Sequence, residues 1–315
     1  MMKSLPSIEE RIWAVLSHFS AVTFGIGIFL PVIGWSDQRR KSNYASFQCL
    51  QALGYQSLGY TIWILFALVI VIAQSLNTFS ELLTAAESGA DFDMLVSLAM
   101  GGHFVVMMGL IGLYVLLPVS AAIACALGKD FHYPILGNRL ARYVGYDISS
   151  SEDWLIEDHE DRFIAAMGHF GVIIILWGML APLTAWIVQG KRSFFLKFQS
   201  MQTLVYQACV TFLFLGAGFV FVFGFLAFLG TVGLSEGDAL DETAMIGIAL
   251  FGLSMLVVVG MILIVPLLHI LGQWAGYRVL KGDDYRYPLV GRLIEKRLAN
   301  QTSLSAASSP PRTAV

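Results

Sequence analysis

Six long apolar stretches account for most of this 315-residue sequence. They cover, in chain order, about residues 11–35, 44–76, 94–127, 162–188, 198–232 and 243–280. An α-helix rises 1.5 Å per residue, so about 20 residues cross the roughly 30 Å hydrocarbon core of a bilayer. Isolated strands cannot satisfy their backbone hydrogen bonds in lipid. The sequence therefore predicts an all-α fold, a polytopic membrane helical bundle.

The composition agrees with a bilayer environment, since 57% of the residues are hydrophobic and only 13% are charged. Soluble domains carry about 25% charged residues. The net charge of −3 leaves no basic domain, so nucleic-acid binding is not expected. Cys49, Cys125 and Cys209 all lie in apolar segments and form no C-x-x-C pair. We therefore expect no disulfide framework, no metal site and no cofactor.

The chain contains the same unit twice. Residues 10–20, ERIWAVLSHFS, align with residues 161–171, DRFIAAMGHFG, at a constant offset of 151. The alignment continues without a gap as far as Gln56 and Gln207, and GKDFHYPILGNRL later aligns with GDDYRYPLVGRLI at an offset of 154. Shared hydrophobicity alone would not align Arg, His, Pro, Trp and three Gln, so the pattern indicates a duplication.

This duplication predicts two membrane units, residues 1–150 and residues 151–300. Each unit has three apolar helical segments. A polar tail at residues 301–315, rich in Ser and containing Pro, is predicted to be disordered. Fused copies usually replace identical chains, which favours a pseudo-dimer within one chain.

The basic residues are expected to anchor the chain at the membrane surface. They lie next to the first apolar stretch of each unit: Arg11, Arg39, Arg40 and Lys41 in unit one, and Arg162, Lys191 and Arg192 in unit two. Basic loops favour the cytoplasmic side. This predicts a multi-pass protein of the cell inner (cytoplasmic) membrane, with the lipid bilayer as its first partner.

The repeated basic loops conflict with three full crossings per unit, because an odd number would invert unit two. One resolution is a pair of inverted repeats with six crossings. The other is a broken or re-entrant first segment in each unit, which leaves four crossings. Gly27 and Pro31 in unit one, and Gly178 and Pro182 in unit two, favour a break. A kinked spanning helix is the remaining alternative.

Six polar side chains within apolar segments predict a polar layer that occurs once in each unit. These candidates are His18, Gln48 and Gln51 in unit one, and His169, Gln199 and Gln202 in unit two. Gln48 and Gln51 share a helix face, and amides in lipid seek partners across helices. Three interpretations remain open, namely packing between helices, the lining of a solute or peptide pathway, and a proton relay.

No sequence motif predicts an enzyme. GLSEG, at residues 233–237, fits G-x-S-x-G, but it lies in an acidic loop between two membrane helices, and a nucleophile elbow needs a strand before it. The sequence contains no H-E-x-x-H and no P-loop motif.

Several repeated features resemble a bacterial membrane domain of unknown function. In unit one they are Arg11, His18, Pro31, Trp35 and the pair Phe47-Gln48, and GKDFHYP and GDDYRYP resemble that domain's Gly, acidic, Tyr-Pro signature. The resemblance covers about residues 10–140 and 161–297. The domain is distantly similar to the twenty-kilodalton channel-type subunit of the chloroplast inner-envelope protein translocon. That similarity implies a style of helix packing, and it brings no catalytic residue with it.

The expected function is therefore that of a scaffold or accessory subunit that binds other membrane proteins. The scarcity of buried charge favours this interpretation. The alternative is a transporter or channel for a small solute or peptide, with its pathway through the polar layer between the two repeats. Coupled transporters usually hold an ionisable group at mid-depth, and the apolar stretches offer no carboxylate there.

Overall fold

The computed structural model describes residues 5–88, 92–147, 154–233 and 242–307. Within these ranges the chain forms eleven α-helices and no strand. They are α1 (Ile8–Phe19), α2 (Phe29–Gln38), α3 (Asn43–Gly54), α4 (Tyr60–Ser88), α5 (Phe92–Ala126), α6 (Leu136–Val144), α7 (Glu157–Phe170), α8 (Leu180–Gln189), α9 (Phe194–Gly233), α10 (Glu242–Leu280) and α11 (Val290–Ala307). The predicted all-α fold is confirmed.

Four helical segments are long and apolar enough to cross a membrane. They are Asn43–Ala85, Met94–Ala126, Phe194–Thr231 and Glu242–Leu280. The first joins α3 to α4 through one π-helical turn at Tyr55–Gly59. These segments are the second and third apolar stretches of each unit, and in each unit the two pack against each other.

The first apolar stretch of each unit is broken, as predicted. In unit one α1 has 12 residues and α2 has 10, with short 3-10 turns between them. These lengths correspond to about 18 and 15 Å, which is less than the roughly 30 Å of a bilayer core. Because α1 packs against α2, and α7 against α8, each stretch folds back as a hairpin. Four long helices agree with four crossings rather than six.

A glycine at the same place in each hairpin permits this reversal. A Cβ atom on Gly27 would lie 2.3 Å from the carbonyl oxygen of Ser20. A Cβ atom on Gly178 would lie 1.9 Å from the carbonyl oxygen of Gly171. No real side chain tolerates such distances, so the hairpin closes only where the sequence supplies glycine.

Buried residues are concentrated where the two hairpins meet the first turns of α3 and α9. The largest buried cluster joins both units, with Trp35 and Leu50 from unit one beside Met167 and Ala185 from unit two. Beyond it, α4, α5, α9 and α10 expose apolar side chains along much of their length. Such surfaces suit lipid and not water.

The predicted unit boundary at residues 150 and 151 lies outside the described residues. At the other end, α11 continues to Ala307, through the first part of the segment predicted to be a disordered tail. The last residues of that segment, 308–315, are also outside the described ranges. The short helix α6 and the longer α11 occupy corresponding positions in the two units.

Candidate functional site: two buried polar layers

His18 forms the centre of the polar layer of unit one. Its Nε2 atom lies 2.9 Å from Oε1 of Gln48, and its Nδ1 atom lies 3.0 Å from the hydroxyl of Tyr133. An amide oxygen only accepts hydrogen bonds, so Nε2–H donates to Gln48 and Nδ1 accepts from Tyr133. Both ring nitrogens are therefore satisfied in the neutral form of the imidazole.

The two glutamines of unit one hold the loop between α5 and α6. Gln48 Nε2 donates to Asp130 Oδ1 at 2.8 Å and to the carbonyl of Phe131 at 3.0 Å. Gln51 Nε2 donates to the same carbonyl at 2.9 Å, and its Oε1 accepts from the backbone N–H of Tyr133 at 3.1 Å. A loop that would otherwise expose polar backbone is thereby bound to α3.

Unit two repeats this network nearly atom for atom. The Nε2 atom of His169 lies 3.1 Å from Oε1 of Gln199, and its Nδ1 atom lies 3.0 Å from the hydroxyl of Tyr287. Gln199 donates to Asp284 at 2.8 Å, and Gln202 donates to the carbonyl of Tyr285 at 2.8 Å. The Oε1 atom of Gln202 accepts from the backbone of Tyr287 at 3.2 Å. The two copies of the duplicated unit thus fold to one arrangement.

All six predicted residues of the polar layers lie within one network per unit, and the structure brings each set of three together. His18, Gln48, Gln51, His169, Gln199 and Gln202 are all fully buried. The sequence interpretation missed the tyrosines and aspartates that complete the layers, namely Tyr133, Tyr287, Asp130 and Asp284. The repeated Asp-x-x-Tyr-Pro pattern was the signal that could have identified them.

A third glutamine in each unit binds the end of the broken helix. Gln56 Nε2 donates to the carbonyl of Ser17 at 3.1 Å, and Gln207 Nε2 donates to the carbonyl of Gly168 at 2.7 Å. The last carbonyls of a helix have no partner within the helix. These amides supply one, so they stabilise the break. The Oε1 atoms of both glutamines are buried without a partner among the described residues.

Burial sets the charge of the two histidines, which lie on α1 and α7, outside the four spanning segments. Loss of water around each ring lowers the pKa of His18 and of His169 to about 4, although the bond to glutamine opposes the change. Both rings are therefore neutral at pH 7, which matches the hydrogen bonds that they make.

A cluster of charges joins the units at the surface of this core. Arg39 Nη1 lies 2.7 Å from Asp161, and Arg39 Nε lies 3.2 Å from Glu160. The indole N–H of Trp35 also donates to Glu160, at 2.9 Å. Burial raises the pKa of Glu160 and of Asp161, and the nearby Arg39 guanidinium opposes this rise. The Arg39 guanidinium thus contacts unit two, and the expectation that Arg39 anchors the chain at the membrane surface stays a prediction.

The other predicted anchors lie nearer to solvent. Arg40 pairs with Glu157, Lys41 pairs with Asp37, and Arg162 pairs with Asp158. Arg11 donates to the carbonyl of Ala126 at 3.3 Å. Lys191 and Arg192 are exposed in the loop after α8. Their predicted role as anchors is compatible with these positions and stays a prediction.

Neither polar layer has the make-up of a metal centre. Among the described residues, no group of three or more His, Cys, Asp or Glu side chains is arranged to hold a metal ion. Each layer places one imidazole and one carboxylate near amides, and the amides already occupy their oxygen and nitrogen atoms with bonds to the chain. The arrangement orders the backbone of the loop that follows the third apolar stretch.

Comparison with known proteins gives two matches along the chain. Residues 9–140 and residues 160–294 each match the magnetosome magnetite crystal formation protein family, MamF_MmsF. The two matched segments correspond to the two units, and each contains one complete polar layer. No curated protein and no solved structure gives a match, and the comparisons show no link to the chloroplast translocon subunit. Since the matches cover most of the chain, this multi-pass membrane protein belongs to the magnetosome magnetite crystal formation protein family.

Proposed function

We propose that this protein is a non-enzymatic scaffold subunit that binds other membrane proteins during magnetite crystal formation in magnetosomes. One observation carries the proposal, namely that the polar layers are buried and bonded to the chain itself. A pathway for a solute needs polar groups that the solute can reach. Here the amides of Gln48, Gln51, Gln199 and Gln202 are bonded to the protein's own loops.

The outer surface supports the same proposal. The spanning helices present long apolar faces on which single glycines stand without a close neighbour, as at Gly101, Gly109, Gly216 and Gly260. Helices in membranes associate through small residues that allow close approach of the backbones. These faces therefore suit contact with helices of other proteins. The inner-membrane location, or a membrane derived from it, is part of this proposal.

The alternative is transport through the polar layers, which the duplication and the broken first segments favour. The double substitution Gln48→Leu with Gln199→Leu distinguishes the scaffold proposal from the transport alternative. If the layers only pack the helices, we expect a lower unfolding temperature, and crystal defects in proportion to the loss of folded protein. Wild-type abundance and stability together with abnormal magnetite crystals would instead support a pathway. Electron microscopy shows whether the magnetite crystals are abnormal, and immunoblots of membranes measure the abundance of the protein.

The scaffold is tested directly by crosslinking in a magnetosome-forming host. A photo-reactive amino acid at Val105 on α5 or Ile262 on α10 lies on an exposed apolar face. We expect discrete adducts with magnetosome membrane proteins, identified by mass spectrometry. The same probe at Leu110, which is buried, is the matched control. Adducts with lipid alone at both exposed positions would overturn the scaffold proposal.

A further inference from the structure

A groove runs along the seam between the two units, next to the end of α10. Its volume of about 490 Å³ is within the range of roughly 300–1,000 Å³ that is typical of ligand pockets. Its walls come from α6 and the π turn of unit one and from α7 and α10 of unit two. The apolar residues that line it are Leu58, Leu136, Leu140, Phe163, Met167 and Leu280.

Two cations stand at the rim of this groove, one from each unit. They are Arg139 on α6 and Lys281, directly after the last residue of the fourth spanning segment. Both are exposed, and neither forms an ion pair within the described part of the chain. The Nζ atom of Lys281 lies 5.7 Å from the centre of the Tyr277 ring. The nearby Arg278 is different, because it pairs with Asp283.

The position of the groove fixes its depth in the membrane. Lys281 marks the end of a spanning helix, so the rim lies where hydrocarbon gives way to headgroups. Tyr143 and Tyr277 also line the groove, and Tyr143 donates to the carbonyl of Leu280 at 3.2 Å. Tyrosine is enriched at this level of a membrane because its ring is apolar and its hydroxyl is polar.

We propose that the groove binds one anionic phospholipid from the leaflet on this side of the membrane. The phosphate lies between Arg139 and Lys281, and an acyl chain lies against Leu136, Leu140 and Met167. Basic pockets between membrane helices bind such headgroups. A free anion would use the cations and leave the apolar floor empty. A neutral lipid would fill the floor and leave two cations without a counter-charge.

The repeat supplies an internal comparison. At an offset of 154, Arg139 corresponds to Leu293, and Lys281 corresponds to Leu127. These equivalent positions therefore hold no second pair of cations, and the proposal gives one lipid per chain. Because the groove is lined from both units, a bound lipid also holds the seam closed. It is expected to raise the unfolding temperature of the chain.

The test uses the full chain purified in detergent. Native mass spectrometry with added phosphatidylglycerol or phosphatidylcholine measures retention, and thermal unfolding measures stabilisation. We expect one phosphatidylglycerol to be retained and to raise the unfolding temperature, with little effect of phosphatidylcholine. The double variant Arg139→Gln with Lys281→Gln should bind phosphatidylglycerol at least tenfold more weakly. The variant Lys191→Gln with Arg192→Gln removes the same charge elsewhere and should bind as the wild type does.

The variant Leu136→Trp separates a lipid site from a bare anion site. It fills the floor of the groove and keeps both cations, so it should also lose the lipid. Unfolding temperatures of the variants in phosphatidylcholine show whether each is folded. Equal retention of the two lipids, or wild-type retention by the Arg139 and Lys281 variant, would overturn the proposal. Stabilisation by inorganic phosphate alone, equal to that by phosphatidylglycerol, would also overturn it in favour of a simple anion site.

Discussion

The helices α1 and α7 occupy the same place in the two units, and yet they meet different surroundings. The fractional exposures are 51%, 43% and 54% for Ile12, Leu16 and Phe19, and 4%, 0% and 5% for the equivalent Phe163, Met167 and Phe170. The main reason is that α7 packs against α3, α6 and the π turn of unit one, whereas α1 contacts mainly its own unit. The Phe170 ring also lies against Gly276 of α10 in its own unit. One face of α7 therefore forms an interface with unit one, whereas the equivalent face of α1 is exposed.

The two copies are therefore more alike in their buried polar layers and hairpins than on the outer faces of α1 and α7. The polar layers match in the bonds between histidine, glutamine and tyrosine, and the hairpin glycines are equivalent. One added contact is that Thr203 Oγ1 lies 3.0 Å from Nδ1 of His169, where unit one has Ala52. The seam between units follows a two-fold rule only in part: the equivalent helices α2 and α8 pack on each other, whereas α1 does not pack closely on α9 as α7 packs on α3. The predicted pseudo-dimer is thus an internal repeat whose two halves contact each other unequally. Substitutions at equivalent positions can test where the units are alike and where they differ.

The largest expected difference concerns the outer faces of α1 and α7. Phe163→Ala should lower the free energy of unfolding by about 3–5 kcal/mol, because it removes a buried ring from the seam. Ile12→Ala, at the equivalent exposed position, should cost less than about 1 kcal/mol. Circular dichroism during thermal unfolding in detergent measures both. Equal losses would show that α1 is covered in the same way as α7, and the contrast between the two helices would disappear.

The next largest effect is the pH dependence of stability that each buried histidine causes, and it should be the same in both units. Since burial lowers the histidine pKa from 6.5 to about 4, the folded state disfavours the proton that the unfolded state accepts. The contribution of each neutral, buried histidine to the free energy of unfolding is therefore complete above pH 6.5, and it is lost as the pH falls toward 4. At pH 5 the loss should be roughly 2 kcal/mol for each histidine.

The measurement is the unfolding temperature between pH 7.5 and pH 5. His18→Gln and His169→Gln should each reduce this pH dependence by a similar amount, and the double variant should reduce it by about the sum. The remaining histidines are common to all four proteins and cancel in the comparison. If the unfolding temperature of the double variant depended on pH as strongly as that of the wild type, the assignment of buried neutral rings would be contradicted.

The smallest of the three effects concerns the charges at the seam. Glu160→Gln keeps an acceptor for Trp35 but removes one of the two carboxylates that form ion pairs with Arg39. We expect a loss of about 1–2 kcal/mol in the free energy of unfolding. Glu9→Gln, the equivalent change in unit one, should have little effect because Glu9 is exposed and, among the described residues, accepts a hydrogen bond from Gln38 alone. Chemical denaturation of the two variants against the wild type tests this, and equal effects would count against a one-sided charge cluster.

Much of the fold was predictable because the signals are local. Length and hydropathy identify the four long helices, and Gly27 with Pro31 predicts the break in the first stretch. His18 and Gln48 were also predictable partners, since histidine and glutamine within apolar helices need a hydrogen bond. Tyr133 was not, because it lies in a loop 115 residues after His18 and nothing in a single helix connects the two.

The one-sided seam could not be predicted from the sequence. Leu16 and Met167 are both large apolar residues at equivalent positions, and their chemistry fits lipid and protein equally well. Hydrophobic pattern therefore identifies a face that avoids water, but it does not say what covers the face. The carboxylate partners of Arg39 in unit two could not be predicted for a related reason, since a cation beside an apolar stretch gives no sign of which distant carboxylates it meets.

The loop that completes each polar layer also imposes an order on synthesis. His18 leaves the ribosome 115 residues before Tyr133, so its ring waits for a partner throughout the synthesis of α2 to α5. At about 5–20 residues per second this interval is roughly 6 to 23 seconds. Unit one can then close before α7 emerges, and its surface is available to the incoming unit two. We therefore expect the N-terminal copy to fold first and the C-terminal copy to pack against it.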